Sequence, residues 1–324
     1  MTTFLLRPTA TVAHTVLYDE MLTDAPAAVE FLETVMGRMK ASKQDKPSAI
    51  EEAKIIFICE IGIRLLEQSQ LDAVKEKIRE CEKAIDSIPD TSDLTYSFFY
   101  KLSAAFHKSK ESPADFYRST LQYLTYTPID TLSMDQQCEI ARDLCLAAFV
   151  AEDLFTFGEL IQHPVLGSLD NSEFSWMPGM LRALNIGNIA EYDKLCAAES
   201  AKINGFPIMV ANQTLLRQKL SIAALIELIF QRNADERQIP FADIAEGTGL
   251  PLDQVEHLLI KALSLKLVRG VIDEVDQNVN ITWAIPHALD MDQIATMKDK
   301  IGDWQEKTKG TMQFVEDESP ELFT

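Results

Sequence analysis

Apolar residues at Leu71, Val74, Ile78, Cys81, Ile85 and Ile88 recur at alternating intervals of three and four. That spacing draws one narrow stripe along a helix surface. The segment before it, Ile50 to Leu66, is apolar on nearly every side. A wrapped helix beside a half-exposed one is what stacked antiparallel helix pairs require, because each pair buries its inner helix between neighbours. Turn signals continue to separate helical segments as far as Asn212, with almost no alternation of period two.

Helix start signals support this division. Ser133 with Gln136, and Thr156 with Glu159, fit the capping box, in which hydroxyl and amide or carboxylate satisfy each other's backbone N–H groups. Ser112 precedes Pro113, and proline at the first helical position gives up no hydrogen bond. Gly187 is placed to end one helix and Asn188 to cap the next. The expectation for residues 1–212 is an irregular helical-repeat, TPR-like α-solenoid without a fixed repeat length.

Beyond Asn212 the pattern changes. Leu215 to Gln231 reads as an amphipathic helix and Pro240 to Gly247 as a short one ended by Gly247 and Gly249. Leu250-Pro251 opens a third, running to about Leu267, with Val255, Leu258, Leu259, Ala262 and Leu263 on its apolar face. Val279, Ile281, Trp283 and Ile285 then alternate with Asn280, Thr282 and Ala284, as in a half-buried strand. With Val268 to Val275 as its partner and Asp276-Gln277-Asn278 as the turn, this predicts a β-hairpin. Three helices closed by a hairpin make a winged helix, expected over residues 213–287, with Trp283 and Ile281 as core of the wing. From Asp290 to about Lys307 a last helix carries Met291, Ile294, Met297, Ile301 and Trp304 in a narrow stripe, with Asp290 and Gln293 as its capping pair. Residues 288–324 thus read as a C-terminal assembly helix and acidic tail. The fold class is mostly α.

Charge narrows the choice of partners. Thirty Lys plus Arg stand against 50 Asp plus Glu, a net charge of −20, which repels a phosphate backbone. From Thr214 to Pro286 there are 7 Lys plus Arg and 10 Asp plus Glu, so the winged helix is acidic too. Asp253 and Glu256 sit where a recognition helix would meet DNA, and Asp273, Glu274 and Asp276 sit on the wing. No nucleic acid partner is expected. Apolar runs such as Ile55 to Cys59 are too short to span a bilayer, and Met1 to Pro8 has no extended secretory h-region. No membrane partner is expected, and the protein should stay inside the cell. Five scattered cysteines read as reduced thiols buried in helices.

Catalytic motifs are missing. The histidines form neither His-Glu-x-x-His nor His-x-His, no glycines frame a phosphate loop, and no nucleophile elbow occurs. Carboxylate pairs such as Glu51 with Glu52 and Asp235 with Glu236 read as solvated faces. Phe157, His163 and Trp176 read as loop packing against the solenoid. Neither catalytic residues, metal ligands nor a cofactor are expected, which leaves a scaffold that binds other proteins.

A solenoid running into a winged helix is similar to the PCI architecture of proteasome lid, signalosome and translation initiation subunits. Phe157-Gly158-Glu159-Leu160, His163-Pro164-Val165-Leu166, Lys261-Ala262-Leu263-Ser264, Leu267-Val268, Gly270 to Asp276 and Thr282-Trp283 closely resemble the PCI-family non-ATPase lid subunit usually counted ninth in the proteasome regulatory particle. The likeness runs from about Val29 to the end and is strongest from Leu215 to Trp304. It implies a non-catalytic scaffold in the cytoplasm and nucleus that pairs with other PCI subunits, near a ubiquitin receptor and a deubiquitinase. The signalosome and a translation initiation complex are the alternative settings. The likeness also implies additional N-terminal helices before the segment matching Val29, where this chain is short, and leaves Met1 to Asp24 unmatched. Its interface residues are expected to be Asp273, Glu274 and Asp276 on the wing, and Ile294, Met297, Ile301 and Trp304 in a bundle with C-terminal helices of other lid subunits.

Overall fold

The computed structural model describes residues 29–30, 32–34, 47–232, 238–285 and 291–318. Helix α1, Pro47–Glu67, buries Ala53, Ile55, Ile56, Phe57, Ile58 and Cys59. Residues that close in sequence point around the whole circumference of a helix, so α1 is wrapped as expected. Helix α2, Leu71–Asp86, buries Val74, Ile78, Cys81 and Ile85 on one side only. Helix α3, Asp93–Ser109, closes the layer, and Phe99, Leu102 and Phe106 complete a core with Ile55, Ile58 and Cys59. Within it the free thiols of Cys59 and Cys81 hydrogen-bond to each other at 3.8 Å. Glu52 departs from the sequence reading. It is buried rather than solvated, because Ser92 Oγ donates to its carboxylate at 2.6 Å and Thr95 Oγ1 at 3.4 Å, which offsets the loss of water. Asp235 and Glu236 lie outside the described residues, as do Asp290 and Met1 to Asp24.

A second core follows. Helices α4 (Pro113–Tyr126), α5 (Met134–Val150), α6 (Gly158–Gln162) and α7 (Trp176–Ile186) surround Leu144, Phe149, Phe157, Leu160 and Met180. Phe157 and Trp176 belong to this core; His163 is half-buried and its Nδ1 accepts from the Val165 N–H. The Ser133–Gln136 capping box forms in both directions. The Thr156–Glu159 box does not: α6 begins one residue later, with Phe157 at the cap position and no side-chain bond, because burying the Phe157 ring fixes the chain there. Pro113 opens α4 after Ser112, whose hydroxyl donates to Asp115 rather than capping an N–H.

Three short helices lead onward, α8 (Ile189–Ala198), α9 (Ser200–Asn204) and α10 (Pro207–Ala211). Asn188 caps α8 by accepting from Glu191 N–H, and Gly187 ends α7 in the left-handed conformation, φ 75°. A side chain at Gly187 would also meet the backbone of Ala223 and Ala224 in helix α11, Gln213–Gln231. Glycine is required there twice over.

The join at α11 is fastened by a residue that the sequence pattern did not single out. Lys219 is 2% exposed, and its Nζ donates at 2.6 Å to the carbonyl of Ala148, in the last turn of α5. Carbonyls in that turn lack an intrahelical partner and carry the negative end of the helix dipole, so a buried ammonium finds its compensation there. The rings of Phe155 and Phe157 lie 5.9 and 5.4 Å from the same nitrogen. Burial lowers the lysine pKa to about 7. Leu216 and Leu220 of α11 share the core of α4 to α7, so apolar packing runs through the join.

The winged helix comprises α11, β1 (Gln238–Pro240), α12 (Phe241–Thr248), α13 (Leu252–Ser264), β2 (Val268–Asp273) and β3 (Asn278–Ala284). Gly247 lies inside α12, and Gly249, at φ 64°, is the residue that ends it. Strand β1 is an addition to the expected hairpin, too short to show a period, and the antiparallel order is β1-β3-β2. Val279 and Ile281 face inward as expected. Trp283 does not: it is 39% exposed. The register shifts at Arg269/Gly270, so Trp283 pairs with Arg269, whose guanidinium lies 4.9 Å from the ring centroid, outside the core. Residues up to Ala284 form one compact unit and those from Ile285 a second, whose described part is helix α14, Met291–Glu318.

Candidate assembly surfaces

The wing is organised around its turn. Asp273, Glu274 and Asp276 are all exposed, but they are not equivalent. The Asp273 carboxylate accepts from the backbone N–H of Val275 at 3.1 Å and of Asp276 at 3.2 Å, holding the turn, while Gln277 takes φ 47°. Asp273 is therefore spoken for locally, and Glu274 and Asp276 project their charge freely. Strand β2 is an edge of the sheet, so the backbone groups on its outer side face away from β3. Along this edge Val271 is exposed and Val275, at the turn, is 93% exposed. Sequence reasoning marked the acids of the wing and passed over these two valines; the signal for Val271 was its place on the odd, outward positions of the strand.

Helix α14 is longer than the periodicity indicated, running to Glu318 instead of about Lys307. Ile294, Met297, Ile301 and Trp304 are all exposed, Trp304 by 71%. The three-and-four spacing continues through Thr308 and Thr311 to Val315. The hydroxyls of Thr308 and Thr311 bond back to Trp304 and Lys307 carbonyls, which lets threonine sit on the stripe without an outside partner. Met312 and Phe314 add exposed apolar surface beside it. Apolar residues at this spacing, with lysines and carboxylates on the flanks, have the pattern of a coiled-coil seam. The two sets of expected interface residues thus lie on separate units, one on the wing and one on α14.

Among the described residues no group of His, Cys, Asp and Glu is arranged to hold a metal ion, and no helix is long and apolar enough to cross a membrane.

Comparison with known proteins decides the family. Residues 8–181 match the family model for PSD13 N-terminal repeats, and residues 206–283 match the PCI domain. The chain belongs to the family of 26S proteasome non-ATPase regulatory subunit 13. Within that family it is 36% identical to "26S proteasome non-ATPase regulatory subunit 13 homolog A" of Arabidopsis thaliana, over 95% of this chain and 79% of the relative. The Dictyostelium discoideum "26S proteasome non-ATPase regulatory subunit 13" is 35% identical over 92% of this chain and 76% of its own length. "26S proteasome regulatory subunit RPN9" of Saccharomyces cerevisiae is 32% identical over 79% of this chain and 64% of its own. The family match begins at residue 8, which corrects the expectation that the likeness starts near Val29 and leaves Met1 to Asp24 unmatched. Few of those positions carry the short motifs on which the resemblance was drawn, whereas a whole-family pattern accumulates weak agreement position by position. The PCI match ends at residue 283, ahead of α14.

Proposed function

We propose that this chain is a non-catalytic scaffold subunit of the proteasome regulatory-particle lid, pairing with other PCI subunits so that the particle assembles and degrades ubiquitin-tagged proteins. The observation that carries the reading is α14, a 28-residue helix with exposed apolar side chains from Ile294 to Val315. Surface of that kind and length serves association. Burying Met297, Ile301 and Trp304 in a helical bundle is worth on the order of 1.5 to 3 kcal/mol each before ordering costs, enough to govern assembly. The wing supplies the second surface: the β2 edge with Val271 and Val275 offers backbone hydrogen bonding, while Glu274 and Asp276 select a basic partner.

A place in the cytoplasm and nucleus follows from membership of the particle, with a ubiquitin receptor and a deubiquitinase among the neighbours. The division of labour runs with the sequence division, residues 1–212 as solenoid, 213–287 as winged helix and 288–324 as assembly helix and acidic tail. A scaffold role in the signalosome or a translation initiation complex is the competing reading. Purifying the tagged chain under native conditions and weighing its companions by mass spectrometry separates the two. Lid subunits in near-equal amounts are expected; signalosome or initiation subunits in their place, or a chain that runs alone, overturn the proposal.

A further inference from the structure

A groove of about 630 Å³ lies between α11 and α13. Its apolar lining comes from Leu220 and Ile222 of α11 and Leu258 and Ile260 of α13, together with Ile189 and Leu250. Ile260 is half exposed although it stands on the helix that supplies much of the winged-helix core. The polar lining includes Arg217, His257 and Lys261 and not one Asp or Glu. In a chain with 50 acidic and 30 basic residues, a carboxylate-free groove is a departure from the average surface. Arg217 is held in place, ion-paired to Asp193 at 2.5 Å and lying over the Tyr192 ring. Lys261 is exposed and has no ion-pair partner among the described residues.

We propose that this groove receives an amphipathic helix of a partner protein, apolar on one face and flanked by Asp or Glu. Two helical walls accept the ridge of a third helix, which is the way helices pack. The apolar floor takes its side chains, Lys261 takes a carboxylate directly, and Arg217 shares itself between Asp193 and the incoming acid. The same basic rim would repel a lysine-flanked helix, so charge sets specificity as well as encounter. The site is lined by residues other than those of the wing edge and does not depend on membership of the lid.

The full chain can be tested with a fluorescein-labelled synthetic helix of about four turns, leucines at three- and four-residue spacing and glutamates on both flanks, beside a twin bearing lysines in place of the glutamates. Fluorescence polarisation should show the glutamate peptide binding at least about tenfold tighter than its twin, and Lys261→Glu should abolish or reverse that preference. Ser221→Trp, which fills the groove, should remove binding of both. Both variants are at the groove surface and should keep the parent melt. Equal binding of the twins, no binding of either, or binding indifferent to both substitutions overturns the proposal. Sedimentation of the unlabelled chain completes the test: self-association lost in Lys261→Glu would make the occupant a second copy and overturn the assignment to a partner.

Discussion

Helices α2 and α14 carry nearly the same message in their sequences and opposite fates in the structure. Both have apolar residues three and four apart in a narrow line, with charged residues around the rest of the circumference. In α2, Val74, Ile78, Cys81 and Ile85 are buried against α1 and α3. In α14, Ile294, Met297, Ile301 and Trp304 are exposed. A stripe states only that something must cover it. What settles the question for α2 is its neighbour: α1, apolar on every side, has more surface to bury than one partner can provide, and α2 and α3 lie a short turn away. Helix α14 has no such neighbour in the sequence around it, and it falls in the second unit.

The largest expected effect breaks this contrast most directly. Removing residues 288–324 should leave the helical circular-dichroism signal of the remainder cooperative, with an unchanged melt, while preventing incorporation of the chain into the lid. A lost cooperative transition would make α14 part of the protein's own core and place it with α2. Within the compact unit the reverse is expected of small changes. Gly187→Ala puts a methyl group into the backbone of Ala223 and Ala224 at a left-handed residue, and should cost about 3 kcal/mol or more, read as a lowered urea midpoint.

These two cases also show what was legible. The solenoid, the three helices of the winged helix and the hairpin follow from periodicity and capping, because each rests on contacts near in sequence. Gly187 and Asn188 were readable as stop and start for the same reason. Lys219 was not, since its partner, the Ala148 carbonyl, is 71 residues away and no lysine advertises burial. The Trp283 ring was misplaced because period two assumes an unbroken register, and the shift at Arg269/Gly270 breaks it. Strand β1 is three residues long and gives no pattern at all. Of the interface residues, the acids of the wing were visible by charge, but Asp273's hold on its own turn depends on geometry that charge does not reveal.

Lys219 sharpens the comparison through pH. Its folded pKa of about 7 lies below the unfolded value near 10.5, so between the two the unfolded chain binds the extra proton. Stability should therefore rise as pH increases from about 7, by up to about 1.4 kcal/mol per unit, and level off above the unfolded pKa. Lys219→Met should flatten that rise in urea titrations taken across the window; an unchanged slope would show that the buried amine does not govern the join. On the outer side, reversing Asp273, Glu274 and Asp276 to Lys should weaken lid incorporation by about tenfold through charge, with only the Asp273 part of the change felt in the melt. Unaltered incorporation would remove the wing from the assembly surfaces.

The smallest effect tests whether the compact unit registers losses that α14 would not. At the start of α5 the Ser133 hydroxyl accepts from Gln136 N–H while the Gln136 side chain accepts from Ser133 N–H, at 3.3 and 3.1 Å. Ser133→Ala removes the first bond and loosens the second, and such caps are worth about 1 kcal/mol. At the start of α6 the same sequence signature is empty, because Thr156 is exposed and makes no capping bond. Thr156→Ala should therefore cost only a few tenths of a kcal/mol, within the usual range for surface substitutions. Trp304→Ser, a far larger chemical change, should leave the melt of the isolated chain where it is, since the indole is already in water. Chemical denaturation of the three variants side by side gives the ranking. If the lost indole costs more than the lost Ser133 hydroxyl, α14 draws stability from within the chain, and the distinction between covered and uncovered stripes fails.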